Sequence, residues 1–175
     1  MAAVEQKNPW LWGPLSGFGS SLGVLTLVLD QAHKWWMLEV YRIQDRGRVT
    51  VTPFLDLVFV KNTGISYGLF LQETRHGQWL LVGFSVLAVA AMAVWLARGV
   101  AGRLMAASLG LIMGGAISNA IDRLVQGGVA DFFSLHAWGF YWYVFNIADA
   151  AIVAGVAGLL YDSFGPSRKD AAKAG

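Results

Sequence analysis

Hydrophobic positions fall in four long blocks along this chain, separated by polar stretches of very unequal length. Residues 79–97 and 104–121 contain no charged side chain. At about 1.5 Å of rise per residue each makes a helix of about 27 to 29 Å, close to the roughly 30 Å hydrocarbon core of a bilayer. The pattern predicts helices at about 79–97 and 104–123. A first block, about 15–36, is interrupted by Asp30 and Lys34, and a fourth, about 142–161, by Asp149. Between them, 98–103 (RGVAGR) reads as a tight hairpin. The β-branched, alternating VTVTPFLDLVFV predicts one or two strands in a platform over about 40–70. Residues 124–141 form a third loop and 162–175 a tail. The expected class is an all-α polytopic membrane protein, one domain of four transmembrane helices with a small extracytoplasmic β element in the first long loop.

Composition strengthens this reading. Of 175 residues, 56% are hydrophobic and 14% charged, and mean hydropathy is +0.52, more apolar surface than a soluble domain of this size can hide. Disordered and fibrous classes are excluded. The 13 Lys and Arg are spread along the chain, so nucleic acid is not an expected partner. There is no Cys, and His33, His76 and His136 are far apart, so neither thiolate chemistry nor a metal cage is expected, and no cofactor. The leader MAAVEQKNPW lacks a basic n-region, so the first block is read as a retained helix.

Four crossings require loops one and three to emerge on the same face. Asp30, Lys34, Asn62, Asp122, Arg123, Asp131 and Asp149 then converge on one side of the membrane. Arg98, Arg103, Arg168, Lys169 and Lys173 on the other side place the hairpin and both termini in the cytoplasm by the positive-inside bias. The basic residues of loop one work against that assignment, with acidic residues among them.

Ionisable groups inside a span cost roughly 2.5 to 3.5 kcal/mol each on insertion scales, and so mark function by default. Asp149 is expected about seven residues into the fourth helix, near 10 Å along its axis. Asp131 lies 18 residues earlier, across a loop that allows the two to meet at the membrane surface. Two carboxylates sharing a low-dielectric site cannot both ionise easily, so one keeps a proton and the pair can act on water as base and acid. The competing reading is a non-enzymatic carrier or proton relay built on Asp30, Lys34 and Asp149.

LDQAHK (29–34), NTGISYG (62–68), SNAIDR (118–123), VADF and FNIAD occur in the order of five elements of prolipoprotein signal peptidases, and the chain resembles that family, signal peptidase II, over nearly its whole length. The resemblance implies a bacterial inner-membrane aspartyl endopeptidase that cuts the signal peptide just before a lipid-modified cysteine. It implies Asp131 and Asp149 as the catalytic pair. Asp30, Lys34, Asn62, Gly64, Asn119, Asp122, Arg123 and Asn146 fall on supporting or substrate-binding positions. Expected partners are lipidated prolipoprotein signal peptides and membrane lipids, with the chain acting as a monomer. Ser118 stands where the family usually has Gly, which bears on the geometry at Asn119.

Several of these residues also admit purely structural roles. Asp30 and Lys34 are spaced i, i+4, as an internal ion pair requires. Asn62-Thr-Gly64 reads as a turn. Asn119 and Asn146 either bridge helices or orient an aspartate. The Asp122 charge is unfavourable at a helix C-terminus and calls for a tertiary partner, while Arg123 suits the macrodipole. Trp35, Trp36, Trp79, Trp138, Tyr141, Trp142 and Tyr143 read as an aromatic belt at helix ends.

Overall fold

The computed structural model describes residues 12–64 and 74–164. Its order is α1 (Ser16–Trp35), which runs on into a π-helical turn (Trp36–Val40), α2 (Ile43–Arg46), β1 (Val49–Thr52), β2 (Leu55–Asn62), α3 (Arg75–Ala97), α4 (Arg103–Gln126), β3 (Val129–Ala137), β4 (Phe140–Phe145) and α5 (Ile147–Phe164). Among the described residues three helices, α3, α4 and α5, are long and apolar enough to cross a membrane. Leu80, Phe84 and Leu87 on α3, and Val153, Leu160 and Phe164 on α5, face outward. In water such surfaces would drive aggregation; against lipid they are the required lining.

Helix α4 is the hub on which α1, α3 and α5 all pack. Lipid tails are as apolar as leucine, so helices associate in membranes through close van der Waals contact and polar bonds, both favoured by small residues. The α1–α4 seam is built in this way. Gly19 and Gly23 on α1 lie directly against Gly110 and Gly114 on α4, and a Cβ added at Gly110 or Gly114 would collide with the backbone carbonyl of Gly19 or Gly23 respectively. One to three turns further along, the same two helices carry Asp30 and Lys34 against Ser118 and Asp122, all buried. The seam thus starts in glycine and ends in charge. Gly114→Val is expected to lower stability by about 1 to 3 kcal/mol through overpacking. Gly83→Val, where nothing lies within 4 Å, should stay within about 0.5 kcal/mol; equal thermal midpoints in detergent would contradict the seam.

The four strands form one antiparallel sheet in the order β1-β2-β3-β4, so the all-α expectation is corrected. The β element is not confined to the first loop, because the third loop supplies half of it. Two local causes explain the error. VADFFSLHA is an apolar run buried on both faces over its first half, so it lacks the alternation that reveals a strand. The β3–β4 connection is a two-residue turn in which Trp138 (φ 49°) and Gly139 (φ 79°) both adopt positive φ, the geometry tight hairpins need, with tryptophan in place of the usual Asn or Asp. Trp138, Tyr141, Trp142 and Tyr143 therefore belong to a hairpin rather than to helix ends. Met37, Ile43, Ala130 and Phe132 form a small core that fastens the sheet to the end of α1.

Helix boundaries move for equally local reasons. Helix α3 starts at Arg75 because Thr74 caps it, its hydroxyl accepting from the Gly77 amide at 3.2 Å. Helix α4 continues to Gln126 and stops where Gly127 turns left-handed (φ 70°). Helix α5 starts at Ile147 rather than near 142, because residues 140–145 are taken by β4. Residues 165–175, and with them Arg168, Lys169 and Lys173, lie outside the described residues.

Candidate active site

The late start of α5 changes the position of Asp149. It is not two turns down the helix, as expected, but the third residue of its first turn. Asn146 is the N-cap: its Oδ1 accepts from the Asp149 amide at 2.8 Å, while Asp149 Oδ2 accepts from the Asn146 amide at 3.2 Å. This is a reciprocal capping box, written in the sequence as N-I-A-D. The helix terminus and the carboxylate orientation are fixed by the same two bonds.

Asp131 arrives from the sheet. The register pairs β3 Asp131 with Val60 and Val129 with Asn62, so Asn62 can reach across to it. Asp131 Oδ2 accepts from Asn62 Nδ2 at 3.1 Å and Oδ1 from Asn146 Nδ2 at 2.7 Å. Asn146 therefore holds both aspartates, one through its side-chain amide and one through its backbone. Asp149 Oδ1 accepts further from Asn119 Nδ2 at 2.9 Å. Every donor recorded on the two carboxylates is neutral. Burial, and secondarily the charge of Asp149, push the Asp131 carboxyl up to about 7; the bonds from Asn62 and Asn146 pull the other way.

Behind the pair lies a buried charge cluster. Lys34, 2% exposed, places its ammonium 2.6 Å from Asp30 and 2.7 Å from Asp122 and donates to Asn119 Oδ1 at 3.1 Å, matching three donors with three acceptors. Asp122 has the tertiary partners its position demanded: Lys34, the Gln31 amide at 2.8 Å and the Ala130 backbone amide at 3.2 Å. Asn119 accepts from both Lys34 and Asn146. Its carbonyl oxygen must face them, so its NH2 must face Asp149. Arg123 makes no ion pair with either aspartate; it donates to the Asn119 carbonyl at 3.2 Å and the Gly64 carbonyl at 3.1 Å. Gly64 in turn donates to Asn62 Oδ1 at 3.0 Å, the Asx turn read from N-T-G.

All ten expected residues thus converge, and they do so at one end of the bundle. A proton relay needs groups spaced across the bilayer, and the groove at the other end, between α1, α3 and α4, is lined by Gly23, Val24, Leu27, Val89, Leu96 and Met113 among others. A cleft of about 360 Å³ opens on the cluster from between α3, α4 and α5. Asn62, Asn119, Arg123, Tyr143 and Asp149 line its polar end, and Phe84, Met92, Ile112 and Ile152 are among the residues of its apolar remainder. Asp131, 1% exposed, sits behind Asn62. Sequence reasoning missed Gln31, Tyr143 and the paired glycine stripe, although the i, i+4 glycines were visible as a membrane helix-packing signal. His33 packs on Phe132 and Phe133, and His136 lies 3.3 Å from Asp56 on the sheet; neither belongs to the cluster.

Fold and site together define a membrane-embedded peptidase of the aspartic type, in which two carboxylates, Asp131 buried and Asp149 partly exposed to the cleft, share one asparagine at the mouth of an apolar cleft. Comparison with known proteins narrows the class. The family model described as signal peptidase (SPase) II matches residues 22–165. Among curated relatives, the lipoprotein signal peptidase of Methylobacterium sp. (strain 4-46) is 54% identical over 88% of this chain and 93% of its own. That of Beijerinckia indica subsp. indica is 47% identical over 90% of each. A solved structure described as a bacterial membrane enzyme, obtained by the in meso method, shares the fold with a TM-score of 0.72 at 24% identity, over 87% of this chain and 93% of its own. The chain belongs to the signal peptidase II family.

Proposed function

We propose that this chain removes signal peptides from lipid-modified prolipoproteins in the bacterial inner membrane, with Asp131 and Asp149 as its catalytic groups. The substrate class follows from the family, and the observation that supports the catalytic pair is the single asparagine, Asn146, bonded to both carboxylates. Helix α1 is the fourth crossing. The sheet lies on the extracytoplasmic surface, the 98–103 hairpin and both termini are cytoplasmic, and one copy surrounded by membrane lipid suffices for activity.

A signal helix enters the cleft between α3, α4 and α5 by its apolar face and unwinds near the cut, since a helical carbonyl is already hydrogen-bonded and shielded. Asp149, which opens on the cleft, takes a proton from a water as that water attacks the scissile carbonyl. Asp131 supplies a proton to the carbonyl oxygen, giving a tetrahedral diol. The C–N bond then breaks as the amine receives the proton held by Asp149, and Asp131 recovers its own as the carbonyl re-forms. For the peptide carbonyl to reach Asp131, Asn62 must yield its hydrogen bond.

This division of labour fixes a pH dependence. A group required in its protonated form and titrating at about 7 limits kcat/KM on the alkaline side. The Asn62 bond favours the charged form of Asp131, and Asn62→Ala removes it. The alkaline limb should therefore move to higher pH, with Asp149 from α5 and Lys34 from α1 the remaining charges acting on Asp131. A limb that stays in place, measured on a lipidated precursor, counts against Asp131 as the acid.

A further inference from the structure

Asp149 stands one residue away from an interaction that the reaction itself does not use. The Ala148 amide, the second of the unpaired N–H groups at the start of α5, donates to Asp30 Oδ1 at 2.9 Å. A carboxylate on α1 thus caps the helix that carries Asp149, one residue from it. What keeps Asp30 in that orientation is on its other oxygen. Oδ2 receives both the Lys34 ammonium at 2.6 Å and the hydroxyl of Ser118 at 2.6 Å. Ser118 is fully buried, and its oxygen accepts in turn from Gln31 Nε2 at 2.9 Å. Gln31 is held in place by Asp122. The hydroxyl expected to bear on Asn119 is turned instead toward α1.

We propose that Ser118, oriented by Gln31, is a positioning residue for Asp149 that acts through the Asp30 cap on α5. Tight association of α1 and α4 does not need the hydroxyl, because the glycines at 19, 23, 110 and 114 already bring the two helices together. Without it, Oδ2 keeps only Lys34. Asp30 is then free to turn so that both its oxygens share the ammonium, and the Ala148 amide loses its acceptor. The first turn of α5 loosens, and with it the capping box that aims Asp149. Misplacement of a reacting group by about 1 Å costs on the order of a hundredfold in rate, and a partial loosening about tenfold.

The proposal rests on the peptidase reading but is tested separately from it. Full-length wild type, Ser118→Ala and Ser118→Gly in detergent are compared for cleavage of a lipidated precursor and, without substrate, for hydrogen exchange across residues 146–150. Both variants lack the hydroxyl and differ in helix propensity, so a purely structural effect should separate them. The expected result is a roughly equal, about tenfold fall in kcat with KM unchanged in both, together with faster exchange confined to the first turn of α5. Wild-type kcat, wild-type exchange, a loss in one readout without the other, or losses that follow the thermal midpoints would each overturn it. Failure of the wild type to cleave would defeat the peptidase reading alone, leaving the exchange data to decide the Ser118–Asp30 link.

Discussion

Asp131→Asn and Asp149→Asn are each expected to lower kcat by about a thousandfold or more, since each removes a proton-transfer group that its partner cannot replace. The substitutions are nearly isosteric, and the surrounding bonds show where they will be tolerated. In Asp149→Asn one side-chain oxygen remains to accept from the Asn146 amide and preserve the capping box, but the new NH2 faces Asn119 Nδ2, which Lys34 and Asn146 hold in place, at a cost of about 1 to 3 kcal/mol. In Asp131→Asn the new NH2 faces one of two amide donors, Asn62 Nδ2 or Asn146 Nδ2, and Asn62, at the edge of the cleft, can turn its amide to meet it. Both variants should therefore insert, Asp131→Asn with a thermal midpoint near that of the parent and Asp149→Asn with a lower one. The double variant should be little worse than either single one, because groups acting as a unit do not contribute additively. Mass spectrometry of a lipidated precursor reads the outcome; clear turnover by either well-folded single variant would remove that carboxylate from the mechanism.

Lys34→Met should produce the largest loss of stability, about 3 to 5 kcal/mol, because it leaves two buried carboxylates without their cation. Asp30 and Asp122 each lie within 3 Å of that ammonium and are almost completely shielded. The cost comes from the stranded charges rather than from the lost attraction, and this makes the prediction specific. Lys34→Met combined with Asp30→Asn and Asp122→Asn should regain much of the loss, since a neutral set replaces an unpaired one. Activity should not return with stability. Asn119 would lose one of the two donors that fix its amide orientation toward Asp149, keeping only the longer bond from Asn146, and the α5 cap would be weakened to a neutral one. Denaturation in detergent checks the first part and precursor cleavage the second. A Lys34→Met protein as stable as its parent would mean that the triad is not closed.

How much of this was legible before folding differs between helices and sheet. The charge-free runs at 79–97 and 104–121 located two helices because a span must satisfy its backbone internally and bury nothing charged. The β platform in loop one was visible through alternation at 49–60. Strands β3 and β4 were not, since the start of β3 is covered on both faces and its hairpin turn is built on tryptophan. That omission displaced the start of α5 by five residues and, with it, the expected depth of Asp149. The site residues themselves were legible through the resemblance; from the residues alone the spacing of Asp131 and Asp149 gave only a possible meeting.

What the sequence determined by itself is the solvent and the inventory: a chain this apolar with so few charges must live in lipid, and any charge placed in its helices must be accounted for. Pattern carries that information because transfer free energy belongs to each residue separately. Which partner accounts for each charge was decided only in three dimensions. Lys34 is shared by carboxylates from α1 and α4, Asn146 by carboxylates from β3 and α5, and Asp30 caps a helix 118 residues further along the chain. Hydrogen bonds and ion pairs depend on direction and on ångström-scale distance, and those are set by how the helices pack on α4, which no linear pattern encodes.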